Sequence, residues 1–290
     1  MYSAEYEVFK LNREEMLAKK LSQYKEIKTV PQFLDYIRTT DFPIDKLFEA
    51  TAAEIRKDLS KATPLFRGLN VYVYDANDAW KAIVYYGFDF VLNDIRAQSA
   101  ESAAWDLLAR YIAFELQSGE EFDDVYTSEE IKGYLSRLDE EYGIFDIFKR
   151  SKFYWRIACS KTRRPGNVSA ETHMYGDENL VILSDVKGKS EIMSKEKVFI
   201  HEIIHTLWRC KYGDVISGLE NVEAIFENHN LPVLSMIMSN DVTAGTQAVA
   251  GRVEEVVDSI ALYTVMRRSQ AGSSLKLDEF LKDIYDNFKS

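Results

Sequence analysis

Val198-Phe-Ile-His201-Glu202-Ile-Ile-His205-Thr-Leu-Trp208 is the stretch on which the fold and the chemistry of this chain turn. Written as a helix, residues four apart share a face, so the imidazoles of His201 and His205 can point at one spot. Glu202 stands one residue round the helix. It is near enough to take a proton from a water at that spot, and it is not aimed to bind an ion head-on. Ile200, Ile203, Ile204, Leu207 and Trp208 make an apolar flank, and Ser194 is a suitable N-cap ahead of it. The pattern is H-E-x-x-H, in which two histidines at i and i+4 bind zinc and the glutamate acts as general base. Only four histidines occur, His173, His201, His205 and His229, so chance rarely sets two of them at this spacing around a glutamate. A core helix with two hydrogen-bonded histidines and a solvated glutamate is the plain alternative. The apolar register favours zinc.

These residues resemble the zincin metallopeptidases, strongly over this helix and weakly elsewhere. The resemblance implies an α+β fold: a small mixed sheet with a backing helix, an active-site helix beneath a cleft, and a mostly helical C-terminal half. It also implies Zn2+ as cofactor, a peptide or protein substrate, and Glu202 as the catalytic base. In such folds a substrate strand can add to an exposed sheet edge. The resemblance gives that role to the strand block of residues 170–184 without selecting the edge.

Catalytic zinc takes three protein ligands and keeps one position open, so a further ligand must follow His205. Gly213 is a natural C-cap for the first helix. Two stretches then compete. In Ser217-Gly-Leu-Glu220-Asn-Val-Glu223-Ala-Ile-Phe-Glu227, Ser217 can cap a new helix that carries Glu223. The spacing from His205 to Glu223 is close to that of gluzincins such as thermolysin, and Glu227, four residues on, matches the position of their histidine-bracing acid. In Gly251-Arg-Val-Glu254-Glu255-Val-Val-Asp258, Glu254 and Asp258 are similar to the ligand glutamate and the following aspartate of membrane-linked zincins. We expect Glu223 as third ligand, with Glu254 as the alternative and Glu255, Asp214, Glu220, Glu227 and His229 behind them. A solvated acidic face would give the same i, i+3, i+7 pattern at Glu220, Glu223 and Glu227. The metzincin form is excluded, because neither its glycine nor its third histidine follows His205 at the required spacing.

At 290 residues the chain has room for one large domain or two small ones. A 46% hydrophobic content is ample for a core. The net charge of −11 and pI near 5.0 argue against nucleic acid and anionic membranes as main partners. Cys159 and Cys210 form no zinc-ligand cluster, and a reducing compartment is the simpler expectation. The N-terminus lacks the apolar core of a signal peptide, and no run of eighteen apolar residues occurs. A cytoplasmic protein is expected, or one exported without an N-terminal signal peptide.

Along the chain, residues 1–65 read as a helical extension and residues 66–290 as the zincin-like domain. Leu69 to Tyr74 and Ala82 to Leu92 are β-rich. Ala100 to Gln117 reads as the backing helix, and Thr127 caps a helix running to about Glu141. Strands are expected from near Phe153 and from Asn179 to Ser184. His173 is read as structural. His229, Tyr212, Tyr263 and Arg252 are each available as an oxyanion donor, though each is better explained by packing. The expected function is a zinc-dependent peptidase with Glu202 as base. A non-catalytic or regulatory zinc-binding module stays open beside it. So does a narrow-specificity toxin or effector protease, because Tyr212-Gly213 and Ser217-Gly-Leu-Glu220 after the motif vaguely resemble clostridial neurotoxin light chains.

Overall fold

The computed structural model describes residues 61–76, 125–161, 170–175, 177–184, 194–214, 216–234, 246–269 and 275–290. The expected backing helix Ala100–Gln117, the β-rich run Ala82–Leu92 and the extension up to residue 60 lie outside them. The described part is mixed α and β: one small sheet and six helices.

The sheet contains β1 (Thr63–Pro64), β2 (Val71–Ala76), β3 (Tyr154–Ser160), β4 (Ala170–Tyr175) and β5 (Glu178–Leu183), in the order β1-β2-β3-β5-β4. β2, β3 and β5 run parallel, and β1 and β4 close the two ends antiparallel. Parallel strands are covered on both faces and so read as continuous apolar runs. β5 follows this rule, with Leu180, Val181, Ile182 and Leu183 all fully buried. β2 extends past its expected end through Asp75 and Ala76, which pair with Cys159 and Ser160; the ladder to β3 overrides the turn chemistry of those residues. β1 lies on the N-terminal side of residue 65, yet it is hydrogen-bonded into the sheet.

Helix α1 (Ser128–Tyr142) begins with a complete capping box. The Thr127 hydroxyl accepts from the Glu130 N–H at 3.2 Å, and the Glu130 carboxylate accepts from the Thr127 N–H at 2.8 Å. The short α2 (Phe145–Arg150) leads into β3. Helix α3 (Lys195–Tyr212) carries the histidine motif; Ser194 caps it through the Lys197 N–H, and left-handed Gly213 ends it. Its apolar flank, Ile200 to Trp208, is buried almost completely, each such side chain contributing about 1.5–3 kcal/mol. Burial also covers Glu202 and His205, because the helix is held between the β4–β5 end of the sheet and α5 (Thr246–Ser269).

Helix α4 (Leu219–Asn228) and α6 (Leu275–Lys289) complete the layer. Phe226 of α4 meets Phe280 of α6 at 4.8 Å between ring centroids, and Tyr285 of α6 stacks on Tyr142 of α1 at 4.1 Å. At the C-terminus of α5, Arg268 grips Glu141 of α1 at 2.6 Å and also reaches Glu196 of α3, while Arg267 holds Asp278 of α6 at 2.7 Å. Cations in a last helical turn also complement the helix dipole. The clasp ties α5 to three neighbours.

α4 starts one residue later than the sequence suggests. Ser217 donates its hydroxyl to Asp214 at 2.7 Å, so the cap position falls to Gly218 at φ +87°. A Cβ added there would overlap the Tyr212 ring. Gly218→Ala is therefore expected to destabilise the fold by about 2–4 kcal/mol, through left-handed strain plus overpacking. Chemical denaturation of the variant checks this, and an unchanged midpoint would overturn both the strain and the overlap with Tyr212 as costs at this position.

Candidate metal centre

On α3 the i, i+4 spacing sets Nε2 of His201 3.2 Å from Nε2 of His205, with the rings nearly perpendicular. The packing of α5 decides what meets them. Val253, Val256, Val257, Ile260 and Ala261 are buried in the core, and this fixes the rotation of the helix. Glu254 and Asp258, four apart, are thereby turned toward α3. Oε2 of Glu254 lies 3.2 Å from both histidine Nε2 atoms. Among the described residues, His201, His205 and Glu254 form the one group with donor atoms converging as metal ligands do.

The donors fit a zinc ion. Around a tetrahedral ion with bonds of about 2.0 Å, ligand atoms stand about 3.3 Å apart, and two imidazoles with one carboxylate is a common catalytic set. At 3.2 Å the three contacts also fall within hydrogen-bond range, the imidazole tautomers setting which atom donates. The side chains of His201 and His205 are only 16% and 10% exposed, against 46% for Glu254. The group is thus enclosed by α3 and reached past α5.

A brace stands behind it. Nδ1 of His201 is 3.3 Å from Oδ1 of Asp258, and the same carboxylate oxygen takes the buried Lys197 ammonium. A carboxylate on the far ring nitrogen fixes the tautomer and orientation of a ligating histidine. Burial by itself would lower the His201 pKa, but hydrogen bonds to Asp258 and Glu254, with Glu202 nearby, outweigh it and raise it to about 9. Glu254 moves the other way: burial pushes its carboxyl up, yet the bonds from His201 and His205 hold it well below the usual carboxylate range. Asp258 is likewise lowered, its burial outweighed by His201 and Lys197. A cation entering at neutral pH must displace the His201 proton, so its binding strengthens as pH rises toward 9.

Glu202 is buried beside this group and accepts a hydrogen bond from Oγ1 of Thr172, on β4, at 2.6 Å. Among the described residues β4 is the outermost strand of the sheet next to α3.

Glu223, the first choice for third ligand, lies outside the group, and Glu254, the alternative, lies in it. The reason is packing. α4 turns Val222 and Phe226 into the core, which directs Glu223 at α5, where Arg252 binds it at 2.6 Å while also holding Glu255 at 2.8 Å. The other sequence candidates, Glu220 and Glu227 among them, also lie outside the donor group, and several are engaged elsewhere. His229 pairs with Asp283 at 2.8 Å, the Tyr263 hydroxyl donates to the Pro232 carbonyl at 2.9 Å, and the Tyr212 hydroxyl accepts from Asn287 at 2.7 Å. Asp214 receives Ser217, and His173 pairs with Glu171 at 3.0 Å on its own strand. Sequence reasoning missed Thr172 and Lys197. Lys197 had a signal, since it precedes His201 by four and shares its helix face; Thr172 had none, because only the folding of β4 against α3 brings it in.

None of the described helices is long and apolar enough to cross a membrane. Set against family models, curated proteins and solved structures, the chain matches none.

Proposed function

We propose that this chain is a zinc-dependent peptidase in which His201, His205 and Glu254 hold the metal and Glu202 is the general base. The convergence of these three donors within 3.2 Å, on the motif helix and α5, carries the reading. Zinc, when bound, supplies a Lewis acid for the scissile carbonyl and lowers the pKa of a water. Glu202 accepts the proton of the attacking water and returns it to the leaving amine. Asp258 keeps the His201 ring oriented, and Lys197 balances the charge of that carboxylate. Among the described residues β4 is the outermost, antiparallel strand beside α3, which supports a zincin-like arrangement in which an extended peptide lies along the sheet edge.

Metal analysis of the freshly purified chain is expected to return about one zinc per molecule, in line with the one donor set among the described residues. Peptide release from denatured casein should stop with 1,10-phenanthroline and return on adding zinc. Zinc bound without any cleavage would point to a non-catalytic module, or to a protease restricted to one substrate. Absence of zinc from protein purified without chelators would remove the proposal altogether.

A further inference from the structure

Glu202 is held from an unexpected side. Its carboxylate is buried, and among the described residues the hydrogen bond to it comes from Oγ1 of Thr172, at 2.6 Å. The same hydroxyl lies 3.3 Å from the Glu202 carbonyl. Thr172 belongs to β4, whose pairing runs Thr172 to Val181 and His173 to Leu180 on β5. Alternation along the strand sends Thr172 toward α3 and its neighbour His173 to the opposite face. A bond of 2.6 Å from a hydroxyl to a carboxylate falls in the short, charge-assisted range. It engages Oε2, one of the two carboxylate oxygens, and restricts the rotation of the group.

We propose that Thr172 is a positioning residue for Glu202: its hydroxyl restricts the rotation of the carboxylate and ties it to the strand beside α3. This rests on the reading of Glu202 as general base. A base fixed in this way spends no conformational freedom in reaching the attacking water.

The test is a double-mutant cycle on metal-free protein, joined to steady-state kinetics on zinc-loaded protein. Thr172→Val keeps the shape and removes the donor; Glu202→Met removes the acceptor. In the Glu202 background Thr172→Val is expected to lower Tm by about 4 °C more than in the Glu202→Met background. On denatured casein, Thr172→Val should lower kcat by about tenfold with KM within about twofold, and Thr172→Ser should restore most of the loss. Equal Tm losses in both backgrounds, or an undiminished kcat, would overturn the proposal. If the protein binds no zinc, the peptidase reading is what fails; in that case, or if zinc-loaded protein cuts no casein, the melting cycle alone decides whether Thr172 holds Glu202.

Discussion

Glu202→Gln is expected to keep its zinc and its fold while losing peptide hydrolysis by about three orders of magnitude. The substitution is nearly isosteric, and the amide oxygen can still accept from the Thr172 hydroxyl that lies 2.6 Å from the native carboxylate. What it lacks is basicity. A neutral amide neither takes the proton of an attacking water nor returns one to the leaving amine, and removing a general base typically costs about 10²–10⁴-fold. Zinc content should remain at the wild-type level, because Glu202 is not among the three converging donors. The comparison is therefore between metal analysis and peptide release on one sample. Wild-type activity in this variant would refute Glu202 as base, whatever the metal content.

The second large effect separates two glutamates. Glu254→Ala should weaken zinc binding by more than about 100-fold, the loss of a direct ligand exceeding the 10–100-fold usual for outer partners. Glu223→Ala should leave zinc in place. That carboxylate serves Arg252, a partly exposed pair worth about 0–1 kcal/mol, and Arg252 keeps Glu255 as its second partner. Titrating each variant with zinc against a chromophoric chelator gives both affinities in one assay. Retention of zinc by Glu254→Ala together with its loss from Glu223→Ala would require α4 and α5 to exchange roles when the metal binds.

The elements that were legible from sequence are those set by neighbours in the chain. The α3 helix, its Ser194 cap, its Gly213 terminator and the His201–His205 spacing all depend on contacts within four residues. The capping box at Thr127 is of the same kind. What could not be read locally depends on how helices roll against each other. Glu223 and Glu254 offer the same carboxylate, each with an acidic residue four further on. The choice between them is made by Val222 and Phe226 turning α4 one way, and by Val253, Val256 and Val257 turning α5 another. Thr172 is an extreme case, an ordinary strand residue whose importance exists only once β4 lies against α3. Lys197 falls between the two, visible by its register and unexplained until Asp258 arrives from α5.

The clasp of Arg268 on Glu141 and Glu196 bears on how the centre assembles. His205 and Glu254 are 49 residues apart in sequence, so a metal joining them acts as a cross-link that closes a long loop. Closing such a loop costs entropy that grows only slowly with its length, and a metal clip restricts the unfolded chain much as a disulfide does. The arginine clasp grips α5 at its far end and ties it to α1 and α3 through contacts that involve no metal ligand. On the proposed reading, zinc would lock a helix that these ion pairs also hold. Thermal midpoints should then climb with the logarithm of free zinc, and the unfolding transition doubles as a readout of occupancy.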